Sequence, residues 1–503
     1  MTYQRPGVYI SETLLPAQIA ATSTANAAGA AVGEFAQGPT SVTLVTSWYD
    51  FVKRFGGYNV SYPATFGVGQ FFQNGGSELY VRRVVHTDAV KASIVVPHTS
   101  GGTDVMATVT AKDFGADGNN LRIQFTAAAQ SGYFDLTVYK EGSNTPTNVA
   151  DDIILERYTN VLVSDRTSGD FVESVVNNAS NAITISVSDV TKSPTTSVLP
   201  LVNGADGSAA TATDYAGAVA DFGSIDRPLV VFAPEIIAKL GSTNAVTVHN
   251  ALIAWADSTY SFAVIDTPAI SAPATAVPDA LDYASGLTSS SHAAVYFPNY
   301  YITDPVGRSL QSLRKVAPAG AVAGLYIQTD KQSGPFKAPA GLNAGVKGAL
   351  ALEKLFTSSE LDALNSGAYP INALRNLPGA GVVSMGARTL LQDGTANKYV
   401  NMRRSLSYIE KSLNDLTQFA LFENNNEDLW ARIQTTISVF LNAYRNQGGL
   451  RGTTPAQAYF VKVDAENNTA QTIANGEVHI QVGVALQYPA EFVVINISQK
   501  TAN

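Results

Sequence analysis

The sequence predicts a multidomain protein of mixed α/β and α+β class with extended terminal arms, and three observations carry this prediction. The chain has 503 residues, 45% of them hydrophobic, and a chain of that length exceeds one compact domain. Short apolar runs alternate with helix-length segments between residues 201 and 319, which is typical of a parallel sheet covered by helices. Residues 91–200 instead hold strand-like runs separated by Gly, Asn, Asp and Ser, which indicates a β-rich region.

The first 20 residues predict an extended arm. They lack helical periodicity and contain Pro6 and Pro16, with the strand-like residues Val8, Tyr9 and Ile10 between them. A strand at a chain end carries unpaired backbone donors and acceptors, so it must find the edge of a sheet.

A compact α/β unit is expected after the arm, up to about residue 90. Residues 28–35 predict a buried strand of small side chains. Ser47 is the expected N-cap of a helix that ends at the glycine pair 56–57. Residues 79–82 predict a further strand.

Between residues 201 and 319, the apolar runs at 229–232, 262–265 and 293–297 predict buried strands. Because helix-length segments separate them, the strands are expected to be parallel and covered on both faces.

The C-terminal third predicts the clearest helices. One spans residues 427–447, with Asn426 as N-cap, acidic residues in its first turn and a glycine pair at its end. Strands are expected at 458–463 and 478–484. Residues 488–503 predict a second extended arm, whose strand-forming side chains follow Pro489 and are Phe492, Val493, Val494, Ile495 and Ile497.

Composition excludes several classes of function. The chain carries 32 Lys and Arg against 41 Asp and Glu, a net charge of −9, and no basic run, so we expect no nucleic-acid partner. It has no cysteine, which excludes disulfides, thiolate metal sites and cysteine nucleophiles. No stretch approaches the roughly 18 apolar residues of a membrane span, and the N-terminus lacks a signal-peptide pattern. We therefore expect no membrane insertion and folding in a cytoplasm.

A search for chemistry finds no catalytic motif. The P-loop, Gly-x-Ser-x-Gly and His-Glu-x-x-His patterns are absent. The five histidines are scattered, which argues against a histidine metal site. We expect no cofactor, no metal and no catalytic residue.

Three polar features leave alternatives open. Residues 204–207 (Gly-Ala-Asp-Gly) can form a cation or phosphate loop, or a tight turn in which Asp206 bonds its own backbone. Asp266 ends a predicted buried strand, where open α/β sheets place ligand-binding groups, but no partner acid or base accompanies it. Arg403 and Arg404 can form an ion pair, contact a neighbour or remain solvated.

An ordered series of motifs resembles the contractile-tail sheath family of bacteriophages and related injection devices. Each motif is weak alone, but order and spacing fit over nearly the whole chain. They include residues 5–12 (Arg-Pro-Gly-Val-Tyr-Ile-Ser-Glu), 71–76 (Phe-Phe-Gln-Asn-Gly-Gly), 386–390 (Gly-Ala-Arg-Thr-Leu), 422–425 (Phe-Glu-Asn-Asn), 448–452 (Gly-Gly-Leu-Arg-Gly) and 488–492 (Tyr-Pro-Ala-Glu-Phe).

The resemblance implies a structural subunit that polymerises with copies of itself around an inner tail tube and contracts to drive the tube through the target envelope. It implies baseplate and tail-terminator partners, a place in the virion tail and assembly in the host bacterial cytoplasm. The two arms would add strands to sheets of neighbouring subunits. Without a nucleotide motif, the contraction energy must be stored in a metastable extended lattice.

The resemblance also implies a domain scheme. A sheath core domain is expected from residues 21–90 and 320–487, an inserted β-rich domain from 91–200 and an inserted α/β domain from 201–319, with arms at 1–20 and 488–503. The helix 427–447 is an amphipathic helix with basic residues on its polar side, in an otherwise acidic chain. We therefore expect the tube-facing residues to be Arg432, Arg445 and Arg451.

Two rival functions remain at this stage. One is an enzyme, such as a hydrolase, built on residues 201–319 with Asp266 as acid or base. The other is a different tail component, a tube or baseplate protein, although a tube subunit is usually a single small barrel.

Overall fold

The computed structural model describes residues 27–98, 105–142, 149–309, 311–391 and 395–491. By its internal contacts the chain divides into two compact units. One contains the described residues 27–407 and 487–491, and the other contains residues 408–486.

The strands in the described ranges alternate with helices through most of the chain. In chain order they are β1 (Ala28–Gly33), β2 (Thr43–Val45), β3 (Leu79–Arg83), β4 (Ser93–Pro97), β5 (Val105–Ala111), β6 (Leu121–Ala127), β7 (Tyr133–Lys140), β8 (Ile153–Leu162), β9 (Ile183–Val187), β10 (Val198–Pro200), β11 (Leu229–Phe232), β12 (Phe262–Asp266), β13 (Ala293–Phe297), β14 (Tyr300–Thr303), β15 (Leu313–Val316), β16 (Ala351–Leu352), β17 (Ile371–Leu377), β18 (Gly381–Ser384), β19 (Tyr459–Lys462) and β20 (Gln481–Val484).

The helices in the same ranges are mostly short, and the longest lie near the C-terminus. They are α1 (Trp48–Phe55), α2 (Ala64–Gln73), α3 (Val172–Ala179), α4 (Ala212–Ala220), α5 (Ile236–Leu240), α6 (Ser242–Ser258), α7 (Ala276–Ser285), α8 (Ala319–Gln332), α9 (Ser358–Ser366), α10 (Val400–Thr417), α11 (Glu427–Asn446), α12 (Pro455–Ala458) and α13 (Ala470–Ala474).

The larger unit is built on an eight-stranded sheet with the order β18-β17-β13-β12-β11-β1-β3-β2. The six central strands are parallel, and the edge strands β2 and β18 run antiparallel to their neighbours. Successive side chains along a strand face opposite sides of the sheet. In β12, for example, Ala263 and Ile265 enter one core, while Phe262 and Val264 enter the other.

Helices cover both faces of this sheet, as the apolar runs predict. Side chains of α4, α6 and α7 pack in one core, and those of α1, α2 and α8 pack in the other. The predicted strands at 229–232, 262–265 and 293–297 are confirmed as the parallel strands β11, β12 and β13. The hydrogen-bonded sheet joins them directly to β1, so residues 28–33 and 201–319 contribute to one sheet. The domain boundaries expected around residues 201–319 remain a prediction.

Residues 93–200 form two antiparallel sheets around their own core. The sheets have the orders β10-β6-β7-β8 and β4-β5-β9, and α3 packs with them. The strands expected in this β-rich region are therefore present. Its status as an inserted domain is also still a prediction.

Local signals set several helix ends where the sequence predicts them. The Ser47 hydroxyl accepts a hydrogen bond from the Asp50 amide at the start of α1. Asn426 accepts one from the Leu429 amide at the start of α11. The expected mixed α/β multidomain class is confirmed.

Candidate functional site: the root of the C-terminal segment and the rival ligand site

The residues expected to form inter-subunit strands lie outside the described ranges. These are Val8, Tyr9 and Ile10 in the N-terminal arm, and the apolar residues from Phe492 to Ile497 in the C-terminal arm. The described chain begins at Ala27, directly before β1, and ends at Glu491. The expected arms and their strands therefore remain a prediction.

An ion pair holds Glu491, the last residue that the structure describes. The Arg388 guanidinium donates through Nε to Oε1 of Glu491 at 2.7 Å and through Nη2 to Oε2 at 2.8 Å. Its Nη1 donates to the backbone oxygen of Asn365 at 2.8 Å. The Tyr399 hydroxyl donates to Oε2 of Glu491 at 3.3 Å. Although burial acts to raise it, the hydrogen bonds and charge of Arg388 lower the pKa of Glu491.

The backbone that carries Arg388 is itself fixed to the main sheet. The side-chain amide of Asn372, a buried residue of β17, accepts a hydrogen bond from the Arg388 amide and donates one to the Arg388 carbonyl, each at 2.8 Å. Two residues earlier, a Cβ on Gly386 would lie only 2.8 Å from the Cα of Asn372. A glycine is therefore required for the chain to pass this close to β17.

The unit of residues 408–486 contains a two-stranded sheet. Strands β19 and β20 pair antiparallel from Tyr459 with Val484 to Lys462 with Gln481. Within the described chain, these two strands form a sheet with no third member. A two-stranded sheet is marginally stable alone and has an open edge on each side.

Two of the three arginines expected to face a tube, Arg432 and Arg445, project from different sides of α11. Arg432 is exposed and lies over the Phe419 ring, 5.1 Å from its centroid. Arg445 is bound within the fold, since it donates to the Thr453 carbonyl at 2.9 Å. At about 100° per residue, Arg432 and Arg445 project about 140° apart around α11. Arg451 lies beyond the helix, with an exposed side chain.

The turn between α10 and α11 exposes two large apolar side chains, which the sequence patterns did not indicate. Leu421 and Phe422 are both strongly exposed, and Phe422 adopts a left-handed φ of 64°. Bulky residues rarely adopt this backbone conformation.

The rival catalytic candidate Asp266 is buried. It is 2% exposed at the end of β12, and its Oδ1 accepts a hydrogen bond from the Ala319 amide at the first turn of α8, at 2.6 Å. Oδ2 is buried, and no described residue forms a hydrogen bond with it. Desolvation, followed by the nearby Glu235 carboxylate, raises the pKa of Asp266 well above its usual range. A carboxyl group this enclosed fixes a helix end and is closed to a substrate.

A crevice does open where ligands bind in open α/β sheets, outside the carboxyl ends of strands at a reversal of strand order. It lies beyond β1 and β3, with a volume of about 230 Å³. Its charged groups bind one another or the backbone. Lys239 pairs with Glu34 at 2.8 Å, and Tyr62 donates to Asp206 at 3.2 Å. Arg83 is bound to three backbone carbonyl groups.

The prediction that residues 204–207 form a tight turn closed by Asp206 is only partly correct. Gly207 has a φ of 76°, as such a turn requires. Asp206, however, does not bond its own backbone in the way expected. It accepts hydrogen bonds from the Ala116 amide at 2.9 Å and from the Tyr62 hydroxyl, and so ties the turn to two distant segments.

For Arg404 the alternatives resolve in favour of an ion pair, whereas Arg403 donates a hydrogen bond to the Ser407 hydroxyl at 3.3 Å. Both residues are buried, and Arg404 binds both carboxylate oxygens of Asp330. Its guanidinium also lies 4.7 Å from the centroid of the Tyr326 ring. This pair stabilises the contact of α8 with α10.

Two further observations bear on function. Over the described ranges, no group of three or more His, Cys, Asp or Glu is arranged to hold a metal ion. None of the helices described is both long and apolar enough to cross a membrane.

The described residues form an α/β fold in which the Arg388 side chain binds Glu491. Comparison with known proteins finds similarity to tail sheath proteins. Residues 392–500 match the family model of the phage tail sheath C-terminal domain. A tail sheath protein of Vibrio phage KVP40 is 29% identical over 184 residues, which cover 36% of this chain and 26% of that protein. The chain thus spans about a quarter of the length of the curated relatives it matches.

Solved structures extend the similarity in fold to nearly the whole chain. The contracted helical sheath of the anti-feeding prophage has 21% identity and a TM-score of 0.59, covering 99% of this chain and 100% of that one. A sheath tail protein from Listeria innocua has 14% identity and a TM-score of 0.62, covering 93% and 97%. The resemblance to the contractile-tail sheath family is confirmed. These relatives are structural sheath proteins and not enzymes.

Sequence reasoning missed the contact of Arg388 with Glu491. Both residues lie in motifs that carry the family resemblance, 386–390 and 488–492. The sequence therefore marked both residues as parts of motifs, but nothing in either motif indicates that Arg388 contacts Glu491.

Proposed function

We propose that this chain is a structural subunit of a contractile tail sheath. Copies of it polymerise around an inner tube, and contraction of the polymer drives the tube through a target cell envelope. The proposal is supported by a fold similar to that of a contracted helical sheath over 99% of the chain and by a C-terminal match to the sheath family model.

The observation that carries the mechanism is the two-stranded sheet β19–β20. Among the described residues no third strand pairs with either of its edges, and the chain has a strand-forming segment at each end, at residues 8–10 and 492–497. Arms from neighbouring copies would add to these edges and complete a larger sheet. Main-chain hydrogen bonds of this kind join subunits while leaving them free to rotate about the joint.

Such joints allow a lattice to rearrange without coming apart. The chain contains no P-loop, so we propose that the energy of contraction is stored in an extended lattice trapped during assembly. The partners would be copies of this chain, the inner tube, and the baseplate and terminator proteins at the two ends. The subunit would assemble in the host bacterial cytoplasm and reside in the virion tail.

Deletion of the N-terminal arm tests the proposal. Removing residues 1–18 deletes the strand-forming segment but leaves β1 intact, so the monomer should fold and fail to polymerise. The control deletes residues 1–4 and keeps Val8–Ile10, and it should polymerise as the full chain does. Electron microscopy and sedimentation measure the outcome. Sheath-like polymers from the longer deletion would contradict the arm mechanism.

The tube contact is proposed on the exposed basic residues of the C-terminal unit. Arg432 and Arg451 have exposed side chains, whereas Arg445 is bound within the fold. Reversing both charges (Arg432→Glu with Arg451→Glu) should weaken assembly of the sheath on its tube. Lys53→Glu, at an exposed position of α1, is the control. Tails of normal length that contract normally in the double variant would refute this assignment.

A further inference from the structure

We propose that Arg388 and Glu491 form an anchor that ties the root of the C-terminal arm to the eight-stranded sheet and so directs the arm towards a neighbouring subunit. The proposal rests on the proposed sheath function and adds to it the residues that fix the arm. It makes Arg388 a positioning residue, because it acts through the segment that it holds.

The anchor is continuous from the sheet to the arm. Asn372 in β17 donates to the carbonyl of Val295 in the neighbouring strand β13 at 3.1 Å. The same amide group holds the Arg388 backbone at both its N–H and its C=O. The Arg388 side chain then holds Glu491. Each link is a hydrogen bond from a buried or half-buried group, so a pull on the arm is transmitted to β17 and β13 of the sheet.

Arginine suits this position because of its geometry. Nε and Nη2 bind the two carboxylate oxygens of Glu491 side by side, and Nη1 binds the Asn365 carbonyl. The third contact fixes the plane of the guanidinium, and the plane fixes where the carboxylate must lie. A lysine ammonium lacks this planar fork and cannot orient a carboxylate in the same way.

Additional contacts hold the residues just before Glu491. The Asn401 side chain donates to the Gln487 carbonyl at 3.1 Å. The Tyr488 ring meets the Tyr399 ring edge to face, with centroids 6.4 Å apart. Within the described chain the last of these contacts is at Glu491, and the predicted strand-forming residues begin at the next position, Phe492. The anchor is therefore placed where it sets the starting point and direction of the arm without occupying it.

The chain also contains a matched ion pair that is distant from both arms in the sequence. Arg314 binds both carboxylate oxygens of Asp304, each at 2.9 Å. The exposed side-chain fractions are 21% and 14% in this pair, against 13% and 23% for Arg388 and Glu491. Both pairs have similar geometry and burial, so the loss of either should affect folding to a similar extent. Only the loss of the anchor should affect polymerisation.

The test compares Glu491→Gln with Asp304→Asn in the full-length protein. Both variants should retain the wild-type unfolding temperature within a few degrees. In the Glu491→Gln monomer, hydrogen exchange at residues 487–491 should accelerate. Its critical concentration for polymerisation should rise at least about tenfold, a change of about 1.4 kcal/mol per subunit. Asp304→Asn should polymerise at the wild-type concentration.

Covalent rescue separates anchoring from other effects of the substitution. The chain has no cysteine, so Arg388→Cys with Glu491→Cys can be bridged by a short bis-maleimide reagent. The unbridged double variant should polymerise as poorly as Glu491→Gln, and bridging should restore polymerisation.

Three results would overturn the anchor: polymerisation of Glu491→Gln at the wild-type concentration, an equal defect in Asp304→Asn, or no rescue by the bridge. Failure of the wild-type chain to polymerise would instead overturn the proposed function, and the anchor with it.

Discussion

Raising the pH from 5 to 8 should destabilise the larger unit through Glu235, a carboxylic acid held against the start of α8. The residue follows β11 and adopts a left-handed φ of 57°. Its Oε1 accepts a hydrogen bond from the Ala317 amide at 2.7 Å. Desolvation raises the pKa of Glu235 to about 7 from 4.5, against the opposing effects of the Ala317 hydrogen bond and the Arg314 charge.

The direction of this change in stability follows from the linkage between proton binding and folding. The pKa is higher in the folded state, so the folded chain binds the proton more tightly and gains stability from it below pH 4.5. This stability is lost as the pH rises towards 7 and above. With pKa values of 4.5 unfolded and about 7 folded, the loss between pH 5 and pH 8 is about 2–3 kcal/mol.

Glu235→Gln isolates this contribution, because glutamine resembles the neutral acid. In urea unfolding, the variant should exceed the wild type by about 3 kcal/mol at pH 8 but by less than about 1 kcal/mol at pH 5. Glu360→Gln is a control of opposite sign. The backbone of Thr357, with Lys354, lowers the pKa of Glu360, so its carboxylate stabilises the fold above its unfolded pKa and its loss should reduce stability at pH 8. Parallel pH profiles for the wild type and Glu235→Gln would refute the reasoning.

Two further predictions concern the packing of α8. Asp330→Asn leaves the buried Arg404 without its counter-charge and should cost about 3–5 kcal/mol, measured by urea unfolding. Replacing both partners by apolar residues should recover most of that loss, and an equal loss in the double variant would contradict the assignment. Gly320→Ala should destabilise by about 1–3 kcal/mol or more, because its Cβ would overlap the Gly67 carbonyl oxygen in α2. Gly217→Ala is the control, because Gly217 lies in α4 with open space around it. This variant should instead stabilise the protein by up to about 1 kcal/mol. If both glycine variants shift the thermal unfolding temperature in the same direction, the steric explanation is excluded.

The strands and helix ends were the most predictable part of the structure, because their signals are local. Each of the buried strands β11, β12 and β13 is a short apolar run bounded by turn residues. Ser47 and Asn426 cap their helices with side chains only three residues from the amides that they accept from. The residues that determine these strands and caps are close together in the sequence, so local sequence patterns are sufficient to predict them.

Pairings between distant residues were not predictable in this way. The sequence indicated that Arg403 and Arg404 had several options, but the acid that binds Arg404 lies 74 residues away. Asp206 was expected to bond locally, and its partners Ala116 and Tyr62 are 90 and 144 residues away. Such partners are brought together by the order of strands in the sheets, which local patterns do not encode.

The sequence by itself therefore determined the fold class, the main strands and helix caps, the acidic and cysteine-free character of the chain, and its resemblance to tail sheath proteins. Only the tertiary structure showed which residues the motifs contact. It placed Gly386 against Asn372 and brought Arg388 to Glu491, 103 residues further along the chain. The physical reason is that a motif records which residue types occur, whereas an ion pair depends on where the folded backbone carries each of them.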